Sequence, residues 1–192
     1  DPSYLQSPSI TTDGAQGAIF AWEDRRTDGG DIYAQHVSSN CTVSWTTNGI
    51  IVCNAGGNQY NPQLSPDMSG GAVIAWADAR SSMWLIFAQR INNNGVSQWN
   101  TNGVQLSSNY RQTYDFITIL NDGGGGAFVG WGATGSSDHL AYICHVGGNG
   151  ISVWVGGAKR ITTSNGYQGT VALARDNADG VITTWTGGAD PF

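Results

Sequence analysis

The feature that most constrains this chain is a motif that returns four times at a nearly constant step. Each copy has Asp, three residues, Gly, then Ala or Val, and an apolar run that ends in Trp. The copies are Asp13-Gly17-Ala18-Trp22, Asp67-Gly71-Ala72-Trp76, Asp122-Gly126-Ala127-Trp131 and Asp176-Gly180-Val181-Trp185. Successive Asp residues lie 54, 55 and 54 positions apart, and Asp to Trp spans nine positions each time. Self-similarity at such a period marks a repeat architecture, in which stacked copies of one unit share a continuous core. The units run over about 7–60, 61–115, 116–168 and 169–192, the last one partial, within a single repeat domain, 1–192.

Other positions keep the same step. Trp45, Trp99 and Trp154 form a second series, and Gly49 and Gly103 follow the first two of them, with Ala158 in their place in the third unit. Ile32-Tyr33-Ala34-Gln35 returns as Ile86-Phe87-Ala88-Gln89 and more loosely as Ala141-Tyr142-Ile143-Cys144. Each unit reads as four short strands, in the first one 8–11, 18–23, 31–37 and 49–53, separated by Gly, Asp, Asn or Ser. The second strand is almost continuously apolar, as in Ala72 to Trp76, and should be covered on both faces. The third and fourth are more mixed and are expected nearer the outside. No segment has a sustained helical period. The expected fold is all-β: tandem four-stranded antiparallel blades, β-propeller-like, with three complete units and half of a fourth.

The composition suits that fold. Charged residues are 11%, and polarity comes from Asn, Ser, Thr, Gln and 28 Gly, as in a β-protein with many tight turns. Lys159 is the only lysine and the net charge is −6, so there is no basic patch for nucleic acid. No apolar run is long enough for a membrane-spanning helix. The sequence starts at Asp1 without a signal-peptide pattern, as expected of a processed product or a piece of a longer protein.

Cys41 and Cys53 flank one hairpin, and their equivalents are Gly95 and Ser107, then Gly150 and Thr162. Two cysteines in one unit and in neither of the others predict a local disulfide and an oxidising compartment. Cys144 aligns with Gln35 and Gln89 and reads as a buried free thiol. No Cys/His spacing resembles a zinc site. The repeated Asp–Gly is expected to make the turn between the first two strands. In that turn Asp satisfies loop amides and Gly supplies an unusual backbone angle. A calcium loop is the sharper alternative, but 13–17, 67–71 and 122–126 each offer one carboxylate, and only Asp176 with Asp179 offers two. The expected cofactor set is therefore none, with calcium as the alternative.

The stretch 17–26, Gly-Ala-Ile-Phe-Ala-Trp-Glu-Asp-Arg-Arg, followed by Asp31 to Gln35, resembles the propeller-type repeats of large secreted or surface-attached bacterial proteins. Ser97 to Val104 resembles the later part of the same repeat. The resemblance covers nearly the whole chain. It implies an extracellular or cell-surface setting and says little about activity.

Candidate chemistry is sparse. After the first Trp, Asp24–Arg26 recurs as Asp78–Arg80, while Gly132 and Thr134 stand at about those places in the third unit. An Arg fork recognises carboxylates and polar sugars, but repetition favours a structural ion pair. Trp84 has no counterpart in the other units and is the best candidate for stacking on a sugar, against an ordinary interface aromatic. His36 and His145 align at the end of strand three, where the second unit has Arg90, and read as blade-rim surface; His139 is the third histidine. None has an identifiable catalytic partner. Asp24, Asp31, Asp78, Asp115 and Asp138 could furnish a glycosidase pair only if the fold joined two of them. No nucleophile elbow appears. Asn40-Cys41-Thr42 formally matches an N-glycosylation acceptor.

The expected function is therefore a non-catalytic extracellular structural or adhesion module that works through self-assembly or surface contact. The alternatives are a carbohydrate-binding module, and a fragment of a larger secreted propeller enzyme. A propeller normally closes with four to eight blades. Three units and a half imply a fragment of a longer chain, a subunit whose edges pair with other copies, or an atypical closure.

Overall fold

The computed structural model describes residues 5–27, 29–81, 83–108, 112–134, 139–162, 167–176 and 178–188; at 112–115, 134, 139, 167–169 and 188 it describes the backbone only. The chain is all-β. Blade one comprises β1 (Leu5–Thr12), β2 (Ala18–Asp24), β3 (Asp31–Val37) and β4 (Ile50–Cys53). Blade two comprises β5 (Gln59–Pro66), β6 (Ala72–Asp78), β7 (Leu85–Ile91) and β8 (Val104–Gln105). Blade three comprises β9 (Gln112–Asn121), β10 (Ala127–Thr134), β11 (His139–Val146) and β12 (Lys159–Arg160). The fourth sheet pairs β13 (Tyr167–Arg175) with β14 (Val181–Gly188). Every pairing is antiparallel between consecutive strands, which gives four tandem meanders. Among the described residues no sheet joins the last blade to the first.

The first strands lie side by side, β1 against β5, β5 against β9 and β9 against β13. They are therefore the inner strands of the fan, and β4, β8 and β12 form its rim. Residues 72, 74 and 76 of β6 belong to a core shared with blade one, and 73, 75 and 77 to a core shared with blade three. All seven residues of β6 are buried, as its unbroken apolar run requires. β7 is buried almost as fully, so the mixed, outer character expected of the third strand falls on the fourth strand alone.

A second lock joins neighbouring blades near the rim. Trp45 Nε1 donates to the carbonyl of Asn93 in the next blade, and Trp99 Nε1 donates to the carbonyl of Gly148, both at 3.0 Å. The rings lie on Gly95 and Gly150, where a Cβ would fall 3.0 and 2.8 Å from the indole Cγ. Glycine is needed at these two positions for close approach as well as for their positive φ.

The Asp–Gly turn is built differently from the expectation. Asp13 Oδ1 accepts from the amides of Ala15 and Gly17, at 2.7 and 2.8 Å, and Asp67 and Asp122 repeat the arrangement. The positive φ angles fall one and three positions after the Asp, at Gly14 and Gln16, Met68 and Gly70, Gly123 and Gly125. The motif glycine is required for space. A Cβ on Gly71 would lie 2.1 Å from the carbonyl oxygen of Ile91, and one on Gly126 would lie 2.2 Å from that of Val146.

The predicted Cys41–Cys53 disulfide is not formed; both thiols are free. Cys41 stands in the exposed turn after β3 ends at Val37, whereas Cys53 pairs with Ile32 near the start of β3. Five residues of extended strand separate those levels by about 16 Å, far more than a disulfide spans. Cys53 is buried against blade two, with Sγ 3.3 Å from Arg80 Nη2, and burial pushes its thiol up to about 12. Cys144 is a buried free thiol, also pushed up by burial.

Candidate functional site

The repeated Asp–Arg pairs are closed on themselves. Asp78 Oδ1 accepts from the amide and Nε of Arg80, both at 2.9 Å, and Oδ2 accepts from Arg80 Nη2 at 2.6 Å and Trp76 Nε1 at 2.8 Å. The guanidinium lies 3.8 Å from the Phe87 ring centroid and donates to the carbonyl of Asn102. Asp24 repeats this with Arg26, Trp22 and the Tyr33 ring. Burial pushes the Asp24 carboxyl up, but the Arg26 and Trp22 hydrogen bonds outweigh it and hold it below the usual range. Such a fork fastens the loop after the second strand to the indole beneath it. Every oxygen it would offer a ligand is already occupied.

In blade three the register places Ala133 opposite Leu140, as Asp78 stands opposite Leu85. The position equivalent to the lost Asp is therefore Ala133, not Gly132. Trp131 Nε1 is buried and finds no hydrogen-bond acceptor among the described residues. The Asp24 and Asp31 backbones do face one another across β2 and β3. Both Asp24 oxygens are engaged, however, and Asp31 accepts from Thr27 Oγ1 at 2.9 Å. Asp138 and the Asp115 side chain lie outside the described residues, as does the His139 side chain.

His36 and His145 are not rim surface. They are mostly buried and lie against the turn aspartates, His36 Nε2 at 2.8 Å from Asp13 Oδ2 and His145 Nε2 at 3.0 Å from Asp122 Oδ2. Arg90 makes the same tie to Asp67 at 2.9 Å. The Asp therefore spends one oxygen on its own turn and the other on the end of strand three. Both carboxylate oxygens in these three loops thus already have protein partners.

Trp84 is the one predicted binding residue that reaches an open site. It precedes β7 and lines a cleft of about 490 Å³ between blades one and two, with Tyr60, Asn61, Glu23, Arg25 and Gln6. The Tyr60 and Trp84 ring centroids are 4.8 Å apart, tilted by 40°. Arg25 Nε donates to Glu23 Oε1 at 2.6 Å, and its guanidinium carbon stands 5.7 Å from the Tyr60 ring centroid. Glu23 is only 2% exposed, and burial raises its carboxyl above the usual value despite Arg25. Asp24, Arg26, Asp78 and Arg80 do not line this cleft. Glu23 and Arg25 escaped the sequence reading, although a signal was present: their equivalents in blade two are Ala77 and Ala79.

The chain matches no protein-family model and no curated protein sequence.

Proposed function

We propose that this chain is a non-catalytic extracellular structural or adhesion module that acts by head-to-tail assembly of its terminal blades. The observation that carries this reading is that its two end faces are the two halves of an interior blade interface. In β6, Ile74 and Trp76 face the preceding blade and Val73 faces the following one, all fully buried. Their equivalents in blade one, Phe20 and Trp22, have no preceding blade against them and form an apolar groove with Leu5 and Pro8. At the other end Ile182 is equivalent to Val73 and is 61% exposed. One end thus presents what the other lacks, which is the condition for a heterologous contact. The unpaired edge of β14 adds open backbone groups to the same end.

The turn at Cys41 favours a second copy as the occupant. A complete blade ahead of blade one would bring a rim tryptophan onto residue 41, where blades two and three carry glycine. Cys41 has a Cβ, which crowds this packing. A two-stranded sheet such as β13–β14 brings inner strands only and avoids that clash. The extracellular setting rests on the resemblance of the repeats, and the non-catalytic reading rests on the closed Asp–Arg forks.

Light scattering across a concentration series tests the assembly. The 192-residue chain is expected to give multiples of its 20.2 kDa mass, as rings or filaments. Ile182→Asp, at an exposed position, should return it to the monomer mass. A monodisperse monomer of the native chain at high concentration overturns the reading.

A further inference from the structure

The cleft between blades one and two combines three properties. Two aromatic rings, Tyr60 and Trp84, form one wall. Gln6 and Asn61 bring amide groups, each able to donate and to accept, and Ser7 brings a hydroxyl. Glu23 and Arg25 neutralise one another at 2.6 Å, so the cleft holds both a carboxylate and a guanidinium with no net charge. Its volume, about 490 Å³, is within the range of small-molecule sites.

The backbone around it is strained in a way that aims side chains inward. β1 and β5 each carry an irregularity in register at the same level, between Gln6 and Ser9 and between Tyr60 and Gln63, as the first strands β9 and β13 of the other blades also do. At these points Ser7 and Asn61 have φ of 49° and 51°, although neither is glycine and each precedes a proline. A residue before proline prefers extended backbone, and a left-handed angle there costs energy that functional sites commonly carry. Ser7 and Asn61 both line the cleft. The polar pair is also local to this interface, because Ala77 and Ala79 replace Glu23 and Arg25 in blade two.

The ligand that fits such walls has an apolar face for the rings and a ring of hydroxyls for the amides, the carboxylate and the guanidinium. It gains nothing from a net charge, because Glu23 and Arg25 already satisfy each other. We infer that this cleft is a carbohydrate site for a neutral pyranose, which lies on Trp84 and Tyr60 and bonds through its hydroxyls to Glu23, Arg25, Gln6 and Asn61. The site lies between two complete blades, and of its lining residues only Gln6 also borders the terminal groove.

Saturation-transfer NMR and calorimetry on the native chain test this, with methyl glycosides of glucose, galactose and mannose as probes. Glucuronate and glucosamine serve as acidic and basic controls. At least one neutral glycoside is expected to bind, with Kd on the order of 1 mM, equivalent to roughly −4 kcal/mol. Trp84→Ala should weaken that binding by about tenfold, the upper range for losing an aromatic contact. Trp84 also packs against the core between blades two and three, so circular dichroism checks that variant. Arg25→Ala, at a half-exposed position, is the second variant and should weaken binding several-fold. No neutral binding up to about 50 mM, tighter binding of either charged sugar, or unchanged affinity in the folded variants overturns the proposal. Particle mass is measured on the same samples, so a failure of assembly and a failure of sugar binding are read separately.

Discussion

Trp76 and Trp131 occupy the same place in consecutive blades and are equally buried, yet their surroundings differ. Trp76 donates to Asp78 and is covered by Gly103, where a Cβ would fall 2.5 Å from its ring. Trp131 has Ala133 in place of the Asp and Ala158 in place of the glycine. Beside it a cleft of about 450 Å³ opens, lined by Ser107, Leu140, Tyr142 and Arg160. The pairing of β10 with β11 is nonetheless as regular as that of β6 with β7. Burial between neighbouring blades therefore holds the tryptophan, and the Asp–Arg fork is a local fastening above it. Leaving a buried indole without an acceptor costs about 1–3 kcal/mol, so the loss of the Asp is one a well-buried blade can carry.

That difference can be broken directly. Asp78→Ala removes the partner of a buried fork, leaving Trp76 Nε1 unpaired and Arg80 with only Asn102, Cys53 and the Phe87 ring. Urea unfolding should show a loss of about 3 kcal/mol, the low end for breaking a buried pair because Arg80 retains a path to water. The double variant Asp78→Ala/Arg80→Ala should recover part of that loss, since it leaves only the indole unpaired, as in blade three. A single variant within about 0.5 kcal/mol of the native chain, the range of an ordinary surface change, would remove the fork from the account of stability.

The motif glycines sharpen the comparison from the other side, because here the two blades should behave alike. Gly71→Ala and Gly126→Ala each drive a Cβ to within 2.1–2.2 Å of a backbone carbonyl. Each should cost about 1–3 kcal/mol, as overpacking does. Unequal losses would mean that the blades differ in backbone rigidity as well as in the fork.

How much was legible depended on whether a residue's role lay within its own unit. The blade and its strands could be read because period and alternation are properties of one segment. The Asp–Trp motif could be placed, but the role of its glycine could not: the carbonyl it makes room for, that of Ile91 or Val146, lies at the far end of strand three. The disulfide failed for the same reason. Residues in the same unit need not be at the same level of an antiparallel sheet, and Cys41 and Cys53 are at opposite ends of β3. His36 and His145 were misread as rim surface because their partners, Asp13 and Asp122, are 23 positions earlier. Trp84 stood out because it broke the repeat. Glu23 and Arg25 broke it too, but adjacent Asp24 and Arg26 kept it and drew the eye.

The smallest expected effect concerns acid. In blade two the turn aspartate is tied to the guanidinium of Arg90; in blade three it is tied to the imidazole of His145. Burial pushes the Asp122 carboxyl up, but the hydrogen bonds from His145 and from the Gly124 and Gly126 amides outweigh it and hold the group below its ordinary 3.8. Asp13 is held low in the same way, by His36 first and then by the Ala15 amide. A carboxyl whose folded value lies below its unfolded one contributes stability that is complete above the unfolded value. That contribution is lost as pH falls through the folded value. These two ties should therefore weaken below about pH 4. Carbon-detected NMR of the Asp side chains should show Asp13 and Asp122 titrating below 3.8, and His145→Leu should move Asp122 upward and leave Asp13 in place. If Asp122 titrates at or above 3.8 in the native chain, the hydrogen bonds from His145 and the two amides do not outweigh its burial, and this tie adds no acid-sensitive stability to blade three.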